Sequence, residues 1–199
     1  MKPDETKGHV IDRAGLPAFY PTHAHEPMFW EALGRAVATF GFLEEVLLKA
    51  IFAITATTFY EEDKIESAYE TWVMTLERSL SDPLGNLIDT YGKAVRNNTN
   101  SKIENFDDLL EDLRKVSKIR NAICHGSWRP PDSEGLSIPF YVNKQKDIFD
   151  TAIGITFLEQ LRKATIDLAC SVIETVTHMG WQFPSSNGPG RVVWQKAGG

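Results

Sequence analysis

Apolar side chains recur every three or four positions over most of this 199-residue chain, a spacing that predicts amphipathic α-helices. The longest series predicts a helix from about Glu26 to Thr57, and its apolar members are Trp30, Leu33, Val37, Phe40, Leu47 and Ile51. Shorter series predict helices over about 61–80, 83–96, 103–124 and 156–179. The helix over 61–80 is expected to turn five side chains inward, those of Ile65, Tyr69, Trp72, Val73 and Leu76. The predicted fold class is therefore all-α, a helical bundle.

The segments between and beside these helices lack the helical spacing of apolar residues. Residues 127–135 are rich in turn formers, and the apolar stretch 136–144 predicts a small β-hairpin insertion before the last helix, with Pro139 on an edge strand. Residues 1–25 lack periodicity and predict an extended N-terminal arm, on which His23 and His25 are expected to be exposed. Residues 181–199 predict a flexible C-terminal tail, so residues 26–180 form the predicted helical domain.

Composition narrows the classes of protein that this chain can represent. A hydrophobic fraction of 42% over 199 residues suits one globular domain, and no apolar run has the length of a membrane span or signal peptide. The only two cysteines, Cys124 and Cys170, match no zinc pattern and suggest reduced thiols, so we expect a cytoplasmic protein without a metal or cofactor. A net charge of −6 argues against a broad nucleic-acid surface but allows a small basic cleft.

Two charged residues lie where an apolar side chain would continue a helical seam. Glu44 interrupts the series of the first helix, and Arg120 continues the stripe of Leu113 and Val116 on the fourth. An isolated buried charge is costly, so each of the two is the natural partner of the other. The alternative is that Glu44 sits at the edge of its seam and reaches water.

The end of the fourth helix brings together residue types that can act on a phosphate ester. Its last residues are Arg120-Asn121-Ala122-Ile123-Cys124-His125, followed by Gly126, which suits the left-handed conformation after a helix end. Histidine titrates near neutral pH and can transfer a proton, while arginine presents a planar fork that matches phosphate oxygens. Arg120 and Asn121 with His125 are therefore the candidate catalytic residues, and Glu44 is a candidate supporting residue.

This arrangement of Arg120, Asn121 and His125 resembles the R-x-x-x-x-H motif of the HEPN superfamily, over roughly residues 26–180. The resemblance implies a metal-independent endoribonuclease, acting as a toxin or anti-phage effector, with RNA as substrate and an inhibitory or antitoxin protein as a further partner. His125 would assist attack of the ribose 2′-hydroxyl, Arg120 would stabilise the phosphoryl charge, and the products would carry 2′,3′-cyclic phosphate ends. Where members pair with a nucleotidyltransferase antitoxin, a tyrosine usually stands two residues after the histidine, a position that is Ser127 here.

Helix geometry bears on how the motif could work. Residues five apart, such as Arg120 and His125, lie about 140° apart around an ideal helix and cannot both point straight along one face. The resemblance implies a homodimer in which two motifs face one composite cleft. In that arrangement Arg120 and His125 could both border the same cleft despite their different directions. Trp128 and Arg129, directly after the motif, are candidate RNA-binding residues that could stack on and hold a base.

A non-catalytic interpretation stays open beside the ribonuclease. Arg120 would then only pair with Glu44, and His125 would only cap the helix end, where a protonated imidazole is favoured. Trp128 would pack the predicted hairpin against the bundle. The protein would in that case be a HEPN-like dimerisation module, or a module that binds a nucleotide or a partner.

Overall fold

The computed structural model describes residues 8–101 and 103–188, and within them the chain forms five α-helices. These are α1 (Pro27–Ala56), α2 (Ile65–Ser79), α3 (Leu84–Asn97), α4 (Phe106–His125) and α5 (Ile155–Thr177), with a short 3-10 helix (Glu62–Lys64) before α2. The predicted all-α class is confirmed, and each helix begins and ends within a few residues of its predicted bounds. The predicted arm and tail fall partly on residues 1–7 and 189–199, which lie outside the described residues.

Helix α1 is the centre of the bundle, because it contacts each of the other four helices and packs most extensively against α5 and α3. It is 30 residues long, or about 45 Å, and begins at Pro27, whose missing N–H is harmless in a first turn. Its fully buried side chains are those of Leu43, Leu47, Ala50, Ile51 and Ile54. At its C-terminal end the hydroxyls of Thr55, Thr57 and Thr58 donate to carbonyls of the preceding turn.

Helix α2 is less buried than its sequence pattern predicts. Of the five side chains expected to point inward, Ile65 is 54% exposed and Tyr69 is 60% exposed, so the prediction is wrong for these two. Trp72 does turn inward, and its indole Nε1 donates to Thr55 Oγ1 of α1 over 2.8 Å. A helical stripe identifies which side chains share a face, whereas only the position of neighbouring helices decides which of them are covered.

The predicted β-hairpin insertion is not present in the described residues between α4 and α5. Three isolated antiparallel bridges stand in its place, joining Ser127 to Phe140, Ser137 to Ile153 and Val142 to Ile148. Proline supplies no backbone N–H, and this segment contains Pro130, Pro131 and Pro139, so a continuous ladder cannot extend through it. The segment is therefore an irregular loop that is held to the helix ends at separate points.

Both flanks of the helical domain contact it. In the arm, the carbonyl of Thr22 accepts a hydrogen bond from Trp30 Nε1 over 2.9 Å. His25 is half-buried and stacks on Phe29 with ring centroids 4.3 Å apart, so the expectation that it is exposed is wrong, whereas His23 is exposed. After α5, Phe183 is buried in the core. None of the described helices is long and apolar enough to span a bilayer.

Candidate functional site

The two isolated charges of the sequence meet between α1 and α4. Arg120 Nη2 donates to Glu44 Oε1 over 3.2 Å, which confirms the predicted ion pair. The side chains are 24% and 29% exposed, so the pair is half-buried and water still reaches it. Arg120 is thereby fixed at the edge of the core, on the last turns of α4, with its guanidinium at the protein surface.

The guanidinium of Arg120 also reaches the other two motif residues within the same chain. Its Nη1 lies 3.3 Å from Asn121 Oδ1 and 3.5 Å from His125 Nε2. The predicted divergence of Arg120 and His125 around the helix therefore does not keep their side-chain ends apart. An arginine side chain is long enough to bend along the helix surface, so the angle between two Cα–Cβ bonds does not determine where the charged group lies.

These contacts determine which protons and donors the site can offer. A guanidinium can only donate hydrogen bonds, so His125 Nε2 can take part in this contact only as an acceptor. Asn121 accepts from Arg120 and so orients the cation, while Nε and the second N–H of Nη2 have no partner among the described residues. Two donors of Arg120 are thus available to phosphate oxygens.

Gly126 is needed at the helix end for a reason other than the predicted one. Its backbone is extended, with φ −74° and ψ 147°, so the expectation of a left-handed residue is wrong. A Cβ at this position would lie 2.4 Å from the carbonyl oxygen of Ala122 and 2.7 Å from Pro139 Cβ. Glycine therefore allows the loop around Pro139 to pack directly against the end of the motif helix.

The structure places the two candidate RNA-binding residues in different surroundings. Trp128 is half-buried and packs edge-on against Phe29 and Trp30 of α1, with ring centroids 5.0 and 6.4 Å away. This contact is the packing role that the sequence left open for Trp128. Arg129 is exposed, and its guanidinium lies over the ring of Phe140 at 5.2 Å. Arg129 therefore places an accessible positive charge beside the motif, whereas Trp128 is engaged in packing.

Cys124 and metal ions are the other sources of chemistry to consider at this helix end. Burial raises the pKa of the Cys124 thiol, nearby Glu44 raises it further, and Arg120 opposes them. A raised pKa reduces the thiolate fraction, which is the nucleophilic form. Within the part of the chain that the structure describes, no group of three or more His, Cys, Asp or Glu side chains could hold a metal ion.

An aromatic cluster that the sequence did not reveal joins the arm to the motif, and its members are His25, Phe29, Trp30 and Trp128. The ring of His25 lies 6.1 Å from that of Trp128, edge-on, and its buried Nε2 has no hydrogen-bond partner among the residues that the structure describes. The spacing of His25 and Phe29, four residues apart across a helix start, was the available signal. The cluster connects residue 128, three positions after the motif histidine, to the N-terminal arm.

No match was found for this chain among models of protein families, curated proteins or solved structures. A functional proposal must therefore depend on the geometry of Arg120, Asn121, His125 and Glu44, and on the resemblance of their motif.

Glu44→Ala should lower the free energy of unfolding by about 1–2 kcal/mol, because it leaves Arg120 without its carboxylate while water still solvates the guanidinium. A fully buried pair would lose about 3–5 kcal/mol on the same change. Urea denaturation measures the difference. The matched control is Glu45→Ala, which removes an exposed pair with Lys49 and should cost about 0.5 kcal/mol or less. Equal losses in the two variants would contradict a stabilising role for the Glu44–Arg120 pair.

His25 should make the stability of the fold sensitive to mild acid. Burial lowers the pKa of His25 from its ordinary value of 6.5, so the folded state favours the neutral ring. Its contribution to stability is complete above pH 6.5 and is lost as the pH falls through the lower folded-state value. Between pH 8 and pH 5, we expect the melting temperature to fall less for His25→Phe than for the unmodified protein. His23→Phe is the exposed control, and parallel curves for His25→Phe and the unmodified protein would contradict the prediction.

Proposed function

We propose that this protein is a metal-independent endoribonuclease of the HEPN type. The observation that supports this most directly is the 3.5 Å approach of Arg120 Nη1 to His125 Nε2 at an accessible helix end. Proton transfer and phosphate charge stabilisation are the two functions that such cleavage requires, and this pair offers both at one place. Asn121 and Glu44 contribute by holding the guanidinium in position.

In the proposed reaction, His125 Nε2 exchanges its contact with Arg120 for a ribose 2′-hydroxyl and accepts the proton of that hydroxyl as its oxygen attacks the adjacent phosphorus. A new bond forms between the 2′-oxygen and phosphorus, and the bond to the 5′-oxygen of the next nucleotide breaks. That oxygen takes up a proton from water, and His125 then releases its proton to water. Arg120 stabilises the negative charge that grows on the phosphoryl oxygens through its two free donors. The products are a 2′,3′-cyclic phosphate and a 5′-hydroxyl.

The test is incubation of purified protein with total RNA in the presence of EDTA, beside an identically prepared His125→Ala sample. We expect cleavage by the unmodified protein only, with EDTA having no effect, because the proposed steps use side chains alone. Cyclic phosphate ends stay blocked to RNA ligation after phosphatase treatment alone, and they become ligatable only when a cyclic phosphodiesterase opens the ring before the phosphatase acts. Cleavage that persists in the His125→Ala sample, or that EDTA abolishes, would refute the mechanism.

The non-catalytic module is the second candidate, and the Glu44–Arg120 ion pair is the observation that favours it. A guanidinium already held by Glu44, Asn121 and His125 has a structural explanation without any substrate. His125 at the last position of α4 is also placed to interact with the negative end of the helix dipole. Under this candidate the purified protein would cut no RNA yet bind a partner or nucleotide.

We further propose that the protein is a homodimer whose interface lies beside the motif. Ile138, Phe140 and Val142 alternate along the loop after α4 with their side chains exposed, while the intervening Pro139 is buried. The bridge between Ser127 and Phe140 places this apolar strip next to the motif helix. A second copy would cover it and bring two motifs together. A toxin or defence role in the cytoplasm, restrained by an antitoxin partner, is part of the same proposal and depends on the motif resemblance.

The dimer proposal predicts a mass of twice 22.4 kDa by light scattering at micromolar concentration. Replacing Phe140 and Val142 together with Asp should give a monomer, because two carboxylates would be desolvated in the interface. Leu80→Asp is the control, since Leu80 is exposed directly after the end of α2 and should leave the dimer intact. A monomeric unmodified protein with full cleavage activity would refute the proposal.

A further inference from the structure

We propose that the cleft between α2 and α3 is a binding site for a small phosphorylated polyol, such as a sugar phosphate. The cleft has a volume of about 550 Å³, within the range of small-molecule sites, and Thr55 of α1 is among its lining residues. Thr55 follows Glu44 by eleven residues, which is about 16 Å along the helix axis. The cleft is therefore separate from the motif site, and the proposal does not depend on RNA cleavage.

A ladder of four hydroxyl groups on α2 lines this cleft. Ser67, Thr71, Thr75 and Ser79 are spaced four residues apart, and all four belong to its lining. Each hydroxyl donates its proton to a backbone carbonyl one turn earlier, over 2.8–3.1 Å. The oxygens can consequently only accept from a ligand. A molecule with several hydroxyl groups can donate to this row of acceptor oxygens without carrying a charge.

The charges of the cleft favour an anion, although the protein as a whole is acidic. Three cations and one carboxylate line it, Lys64, Arg78, Lys93 and Asp82. Lys64 pairs with Glu61 and Arg78 with Asp82, whereas Lys93 has no ion pair among the described residues. Lys93 is exposed on α3, opposite the hydroxyl ladder of α2. A phosphate group is an anion that an ammonium group binds well.

Trp72 provides an apolar wall to the same cleft. Its indole N–H is already engaged by Thr55 Oγ1, and its ring packs against Phe52 and Tyr69 with centroids 5.9 and 5.8 Å away. A ring without a free donor can contact the C–H face of a sugar but cannot contribute a polar contact. The cleft thus offers hydroxyl acceptors, one unpaired ammonium and an apolar wall. The ligand that matches these groups is polar, anionic and rich in hydroxyl donors.

The first experiment is calorimetric titration of the full chain with ribose 5-phosphate, ribose and inorganic phosphate. Ribose 5-phosphate should bind at least about tenfold more tightly than either fragment, because only it uses both the ladder and Lys93. AMP, which carries the same ribose phosphate, distinguishes a free sugar phosphate from a nucleotide by which of the two binds more tightly. No binding of ribose 5-phosphate or AMP, or equal binding of inorganic phosphate, would overturn the proposal.

The second experiment assigns the binding to this cleft. Lys93→Gln removes the unpaired charge from an exposed position and should weaken ribose 5-phosphate binding about tenfold. Thr75→Val keeps the shape of the side chain but removes its acceptor, and should weaken binding without changing the helical circular dichroism. Lys163→Gln, exposed on α5, is the matched control and should bind normally. Binding that Lys93→Gln leaves unchanged would place the ligand elsewhere and overturn the proposal. RNA cleavage by Lys93→Gln should stay at the unmodified level, which separates this test from that of the ribonuclease.

Discussion

Replacing His125 with alanine should reduce RNA cleavage by about 10²–10⁴-fold, the usual contribution of a general base, while the helical circular dichroism stays unchanged. His125 is exposed at the last position of α4, so its truncation removes little packed surface. The loss should appear in the turnover rate, because the proposed role of the imidazole is to move a proton in the reaction step. Single-turnover cleavage of a short RNA measures it.

His9→Ala is the matched control, because His9 is an exposed histidine of the N-terminal arm. It should cut RNA at the unmodified rate, which would show that the loss in His125→Ala belongs to that position. A His125→Ala protein that is folded and fully active would contradict the proposed role of the imidazole. If the unmodified protein cuts no RNA but binds a nucleotide or partner, the non-catalytic module becomes the better account.

Replacing Arg120 with alanine should reduce cleavage by about 10²–10³-fold, the usual effect of removing a group that stabilises transition-state charge. Arg120→Lys should recover only a small part of this loss, because an ammonium group lacks the planar fork that contacts two oxygens together. Arg120→Ala also leaves Glu44 as an unpaired, half-buried carboxylate, so we expect lower stability as well. The rate is therefore measured well below the melting temperature of the variant.

Two further variants separate the catalytic role of Arg120 from its structural role. Arg114→Ala is the matched control, since Arg114 lies on the same helix and pairs with Asp89 over 2.9 Å on the surface. It should leave cleavage unchanged. Glu44→Gln removes the charge of the partner but keeps an acceptor, so it should change cleavage far less than Arg120→Ala. If Arg120→Ala unfolds the protein and Glu44→Gln is as inactive as Arg120→Ala, the pair is structural and explains the motif.

The sequence alone determined the positions of the helices and the pairing of Glu44 with Arg120. Helix positions follow from apolar spacing, because burial of one face imposes a period near 3.6 residues on a helix wherever it packs. Glu44 and Arg120 were predictable as partners because each is a single charge in an apolar seam, and an isolated charge there is too costly to leave unpaired. Both inferences depend on local spacing and on the cost of leaving a charge unpaired in an apolar seam, so they need no knowledge of the tertiary arrangement.

Other features were decided only when the helices came together. The exposure of Ile65 and Tyr69 depends on where α2 lies relative to α1, and the burial of His25 depends on the arm meeting Phe29 and Trp128. The hydroxyls of α2 repeat every four residues in the sequence, but only the position of α3 opposite them makes a cleft. The contact of Arg120 with His125 likewise depends on the tertiary structure. The Arg120 side chain extends toward Glu44, a carboxylate 76 residues earlier in the chain, and this ion pair sets the position of its guanidinium. Spacing along a helix sets the directions of Cα–Cβ bonds, whereas the ends of long side chains go where distant partners hold them.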